Sequence, residues 1–190
     1  MQLVFQHPHT RRTKTAHLVI HHSAGQDVSA AVIHQQHLQR GYNGIGYHYL
    51  IRKNGALEAG RPETAVGAHA KGYNYDSIGI CLTGNFMQEP PAPAQLATLR
   101  GLITKLQRTY GNLTINLHRE LNATACPGIY FTRDLLTGGP AGQNTSDFRQ
   151  QLMIWAQEHG WTQELHPPNE PSPKWFIIAV LKNMQAQSTD

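Results

Sequence analysis

The residues best equipped for chemistry stand in one short segment, His118-Arg-Glu-Leu-Asn-Ala-Thr-Ala-Cys126-Pro127-Gly128. A histidine at the predicted end of a strand is followed by a loop and then by a cysteine before Pro-Gly. Imidazole and thiolate are donors that zinc favours, and a loop of this length can bring both onto one ion. A catalytic zinc site takes three protein ligands and keeps a fourth position for water, so a third donor is expected on a neighbouring strand end. His21, which closes the apolar run Leu18-Val19-Ile20, is the natural candidate. His22 follows directly, but adjacent strand residues point to opposite faces, so only one of the pair should face the metal. The same residues admit a plainer reading, with His118 a loop histidine and Cys126 a small buried hydrophobe. Twelve histidines are many for 190 residues. His34 and His37, three apart on a predicted helix, mimic a metal pair, but no carboxylate or cysteine accompanies them. Cys81 sits in an apolar strand and reads as core, and Arg61 reads as a solvated or structural arginine.

These side chains need a frame to hold them. The pattern predicts a strand over 17–21, then a helix over 30–40 with Asp27 or Ser29 as its cap and Gly41 as its stop. A strand is predicted over 47–53, a tight turn at Asn54-Gly55 and a returning strand over 56–59. On that reading Tyr47 is a strand residue, whose ordinary role is cross-strand packing. The apolar run Ser77 to Leu82 suits a buried central strand. Pro93 opens a helix predicted to reach Tyr110, with Leu96, Leu99, Leu102, Ile103 and Leu106 at helical spacing and Gly111 after it. A last strand is predicted over 113–117. Alternating strands and helices give an α/β (α+β) class with a central mixed β-sheet.

Five blocks of the chain share a further property: Ile20-His21-His22-Ser23-Ala24-Gly25; Gly44-Ile45-Gly46-Tyr47-His48-Tyr49; Gly60-Arg61 with Gly67-Ala68-His69-Ala70; Ser77-Ile78-Gly79-Ile80; and His118 to Gly128. In order and spacing they resemble the type-2 N-acetylmuramoyl-L-alanine amidases, which include phage lysozyme-type amidases and peptidoglycan recognition proteins. The resemblance covers residues 15–132. It implies a mixed sheet flanked by helices with one Zn2+ ion in a surface cleft. The implied activity is hydrolysis of the amide between the lactyl group of N-acetylmuramic acid and L-alanine in peptidoglycan, leading to cell-wall lysis. Carried over residue by residue, the zinc ligands are His21, His118 and Cys126, and the catalytic tyrosine is Tyr47. A second catalytic position, two residues before the ligand cysteine, falls on Thr124, where some phage members carry lysine. A hydroxyl is a weaker donor than an ammonium, so zinc and Tyr47 would carry more of the load. His69 resembles a cleft-lining position, and Asn74 and Asn85 are further candidates for substrate binding. Each of these three also reads as a loop residue satisfying nearby backbone.

Composition narrows the setting. A net charge of +4 favours an anionic partner, and the scatter of Lys and Arg favours a cell wall over nucleic acid. The expected partner is bacterial peptidoglycan. No run of about 18 apolar residues occurs, so no membrane span is expected. Met1 to Lys14 has no apolar h-region, which predicts a protein made in the cytoplasm without a signal peptide and acting on the wall after release, as a phage or prophage endolysin would. The catalytic domain is read over 1–136, a linker over 137–146 and a helical tail over 147–190. Within the tail, Trp155 to Trp161, Pro168 to Pro173 and Ala179-Val180-Leu181 resemble a degenerate S-layer-homology-type wall-binding repeat. The competing reading is a helical hairpin that buries Trp175, Phe176 and Ile177 against the catalytic domain or a second copy, forming a homo-oligomer. A non-catalytic receptor on the same fold is the alternative function; the presence of both Cys126 and Tyr47 favours the enzyme.

Overall fold

The computed structural model describes residues 3–137; the predicted helical tail, and the linker beyond Thr137, lie outside them. Among the described residues five strands form one mixed sheet: β1 (His17–His22), β2 (Tyr49–Ile51), β3 (Leu57–Ala59), β4 (Ser77–Leu82) and β5 (Thr114–Leu117). Their order is β3-β2-β4-β1-β5. β1 runs parallel to β4 and β5, and β2 runs parallel to β4, while the edge strand β3 is antiparallel to β2. Parallel strands with both faces covered need continuous apolar runs, which is why Leu18-Val19-Ile20 and the whole of β4 are buried. The expected α/β class with a central mixed sheet is the observed one.

The helices α1 (Ala30–Gln39) and α2 (Pro93–Tyr110) complete two cores. Leu18, Ile20, Ile78, Ile80 and Leu82 pack with Leu96, Leu99, Leu102 and Leu106 of α2. Leu50 and Cys81 pack instead with Ala30 and Ile33 of α1. Ile80 and Cys81 are neighbours in β4, so side-chain alternation puts the two helices on opposite faces of the sheet. No helix among the described residues is long and apolar enough to cross a membrane.

Local chemistry fixes the helix starts. Ser29 caps α1 by accepting from the Val32 N–H. Asp27, the other expected cap, instead pairs with the Arg52 guanidinium at 2.7 Å and accepts from the Thr83 hydroxyl at 2.6 Å. Arg52 first, and then Thr83 and the Lys53 N–H, hold the Asp27 carboxyl well below the usual carboxylate range against its partial burial. Pro93 opens α2, and buried Gln95 accepts from the Ala92 N–H and donates to the carbonyls of Ile51 and Thr83. That amide ties the start of α2 to the ends of β2 and β4. The strand expected over 47–53 is shorter than predicted, because Tyr47 and His48 belong to the approach into β2.

Candidate metal centre and active site

His21 is the fifth residue of β1, and the parallel register pairs its neighbour Ile20 with Leu117 of β5. One further step along each strand brings His21 beside His118, since adjacent strands run about 4.8 Å apart. The two rings lie 4.4 Å apart between centroids. Cys126 returns to this point on the loop after β5. The Arg119 N–H donates to the Cys126 carbonyl at 2.8 Å, and the Arg119 guanidinium donates to the carbonyls of Gly128 and Phe131. Gly128 has φ +103°, and a Cβ there would stand 2.4 Å from the Phe86 carbonyl carbon, so only glycine lets the loop close. Cys126 Sγ lies 3.6 Å from His21 Nδ1, and the donor atoms of His21, His118 and Cys126 all lie within 4.8 Å of one another. Donors at zinc bond lengths on a tetrahedron stand roughly 3.3–3.7 Å apart. Two imidazole nitrogens and a sulfur so grouped could hold one metal ion, and their types are those that zinc favours.

Each donor has a second partner. His118 Nε2 stands 3.1 Å from Asn122 Oδ1, while Asn122 Nδ2 donates to the Lys71 carbonyl. An amide held that way accepts from His118 Nε2–H and leaves Nδ1 free to ligate. His21 Nε2 stands 3.1 Å from His69 Nδ1. Cys126 Sγ accepts the backbone N–H of His22 at 3.4 Å. The His22 ring turns to the other face of the sheet, where its Nδ1 accepts from the Phe86 N–H at 3.0 Å. The adjacent histidines thus divide as strand alternation requires. Burial, then the neighbouring His69 and His118, holds His21 well below the ordinary histidine range. Burial also lowers His118, against the hydrogen bond that His118 donates to Asn122. Both shifts favour the neutral imidazole, the form that ligates a metal. Burial pushes the Cys126 thiol up to about 12, opposed by the His22 N–H and by Arg119. A cation binding there must displace that proton.

Comparison with known proteins bears directly on this arrangement. Residues 11–129, more than half of the chain, match the N-acetylmuramoyl-L-alanine amidase family. The chain belongs to that family. The endolysin of Enterobacteria phage K11 is 38% identical over 137 residues, which cover 68% of this chain and 91% of that protein. The endolysin of Escherichia phage T7 is also 38% identical, over 65% of this chain and 87% of that protein. Among solved structures, the N-acetylmuramoyl-L-alanine amidase LysC from Clostridium intestinale URNW is similar with a TM-score of 0.70 at 34% identity, covering 72% of this chain and 92% of that one. His21, Tyr47, His118, Thr124 and Cys126 all lie within the matched residues.

The rest of the amidase-family domain arranges itself around the three donors. The Tyr47 ring lies 5.1 Å from that of His21. Burial, then the Cys81 and Cys126 thiols, raises Tyr47 well above the ordinary phenol range, so it stays a donor. Cys81 is core, as expected. His34 and His37 hold the loop that carries Tyr47: the Ile45 N–H donates to His34 Nδ1, and the Gly46 N–H donates to His37 Nδ1. Arg61 is structural, donating to the carbonyls of Ile45 and Val66. Thr124 Oγ1 accepts from the Cys126 N–H at 3.2 Å, which leaves the hydroxyl proton available. Asn74 Oδ1 accepts from the N–H groups of His69 and Ala70, and Asn85 Oδ1 accepts from the Met87 N–H. The His69 ring lies between His21 and Ser77. A cleft of about 310 Å³ opens beside Tyr47, lined by Gln26, Gln36, His37 and Arg40 among others. Asn122 and the His22 amide escaped the sequence reading. Asn122 stands four residues after His118, a spacing that could have flagged it.

Proposed function

We propose that this chain is a zinc-dependent N-acetylmuramoyl-L-alanine amidase, which hydrolyses the amide joining the lactyl group of N-acetylmuramic acid to L-alanine and acts on the bacterial cell wall as an endolysin. The observation that carries this reading is the convergence of the donor atoms of His21, His118 and Cys126 within 4.8 Å, inside a domain of the amidase family. The likeness to phage endolysins supports the site of action. Three protein donors leave one position open, the pattern of catalytic rather than structural zinc sites.

When bound, zinc would supply Lewis acidity, polarising the scissile carbonyl and lowering the pKa of water to about 7. The protein's own groups do the rest. Tyr47, kept protonated by burial, donates a hydrogen bond to the carbonyl oxygen as negative charge grows on it. Thr124 offers a second hydroxyl, its oxygen fixed by the Cys126 N–H. Asn122 keeps the His118 ring from turning. The cleft along α1 receives the peptide side of the substrate, and Arg40 brings a cation to its carboxylates.

The deciding experiment measures zinc content and digests peptidoglycan with the wild type and Cys126→Ala, analysing products by mass spectrometry. The expected result is about one zinc per chain and free stem peptides with intact glycan, both lost in the variant. Zinc bound without cleavage of any peptidoglycan type would overturn the enzymatic reading in favour of a receptor. Protein purified without chelator that holds no zinc would overturn the ligand assignment.

A further inference from the structure

We propose that His69 is a positioning residue for His21, the last but one member of a one-way chain of hydrogen bonds that fixes which nitrogen of His21 faces the metal. The inference rests on the zinc reading of His21 given above.

The direction of the chain follows from counting protons, beginning at its far end. Ser77 Oγ lies 2.6 Å from the Tyr73 carbonyl, which can only accept, so the single hydroxyl proton of Ser77 is used there. His69 Nε2 lies 3.4 Å from the same Oγ. With its proton occupied, Ser77 can only accept, so His69 carries its hydrogen on Nε2. The remaining nitrogen of a neutral His69, Nδ1, is then a lone-pair acceptor. It stands 3.1 Å from His21 Nε2, which must carry the hydrogen between them. His21 Nδ1 is left with its lone pair, and this is the atom 3.6 Å from Cys126 Sγ. Asn122 imposes the same tautomer on His118. Both ligand imidazoles therefore present Nδ1, each through an outer partner, as metal-binding histidines commonly do.

The setting of His69 shows a place built for this ring. A Cβ added at Gly67 or at Gly79 would each come within 2.5 Å of His69 Cδ2, so the two glycines form the walls of a slot that the imidazole fills. The His48 ring meets it edge-on at 5.6 Å. The Asn74 carboxamide fixes the His69 backbone by accepting its N–H at 2.8 Å. Its ring nitrogens are thus directed at His21 and Ser77.

The test is zinc affinity of the full chain, measured by competition with a chromogenic chelator, together with the visible absorption of the cobalt-substituted protein. Wild type is compared with His69→Leu, His69→Asn and Ser77→Ala, each checked for folding by circular dichroism. His69→Leu fills the slot but removes the acceptor, and is expected to weaken zinc binding about 10- to 100-fold. In His69→Asn the Oδ1 can take the place of Nδ1, so affinity and the cobalt spectrum are expected to stay close to wild type. Ser77→Ala removes only the far acceptor and is expected to cost less than His69→Leu. A purely space-filling role predicts the reverse order, with leucine tolerated better than asparagine, and that order would overturn the proposal, as would wild-type affinity in His69→Leu. Wild type that takes up no zinc defeats the underlying zinc reading, an outcome distinct from either of these.

Discussion

Tyr47 and Thr124 both offer hydroxyl donors, but they are held differently. Tyr47 is braced by its burial and by the loop that His34 and His37 tie down. Among the described residues Thr124 is held only through the amide of Cys126, two residues on. Losing one donor to a developing oxyanion costs about 100- to 1000-fold in rate. Tyr47→Phe is therefore expected to lower kcat by that range while zinc content and melting temperature stay near wild type. A variant within a few-fold of wild type in steady-state cleavage would remove Tyr47 from the mechanism. At this scale the sequence was legible where donors cluster in one segment, as His118 and Cys126 do. His69 meets His21 from a distant part of the sequence and the His22 amide acts through the backbone, which no residue pattern displays. His34 and His37 looked like a metal pair because helical spacing brings such residues to one face, yet their Nδ1 atoms serve backbone amides.

The elements explain why those distant groups meet. Leu18 to Ile20 and Ser77 to Leu82 announced themselves as strands, because parallel strands covered on both faces are apolar throughout. Their order did not, since parallel neighbours are joined by long crossovers and carry no hairpin signal. Yet the register of β1 with β5 is what sets His21 beside His118, and the register of β1 with β4 is what pairs His21 with Cys81. Tyr47 was expected within a strand because aromatic alternation reads that way; β2 starts only at Tyr49. One element-scale device is testable on its own. Gln95 is buried and bonds the carbonyls of Ile51 and Thr83 from the first turn of α2. Gln95→Leu leaves the Thr83 carbonyl without that donor and is expected to destabilise the domain by about 1–3 kcal/mol. Urea unfolding should show the midpoint falling, with zinc affinity per folded molecule unchanged. An unchanged midpoint would mean that the clamp contributes nothing net.

For the whole molecule, the candidate site lies where an open, largely parallel sheet places sites in general, at the carboxyl ends of its strands. Another set of buried polar groups packs around β4, and these set how the fold responds to acid. His48 is almost wholly buried; its Nδ1 accepts from the Gly79 N–H, and its Nε2 faces the Ala65 carbonyl and the Arg12 guanidinium. Burial lowers its pKa to about 4, the Ala65 carbonyl opposes that, Arg12 and Arg61 add to it and Glu63 offsets them in part. An unfolded chain protonates this histidine near its ordinary value of about 6.5. Between that value and about 4 the unfolded state binds the extra proton, so stability falls as pH drops through the window and levels off below it. Full integration of one such site is on the order of 3 kcal/mol at pH 4. The melting temperature is therefore expected to be flat above about pH 7 and to decline from there toward pH 4. His48→Gln, which cannot titrate, should be less stable at neutral pH yet show a shallower acid decline. If the variant kept the whole wild-type slope, the acid sensitivity would have to come from other buried histidines, and His48 would be a packing residue only.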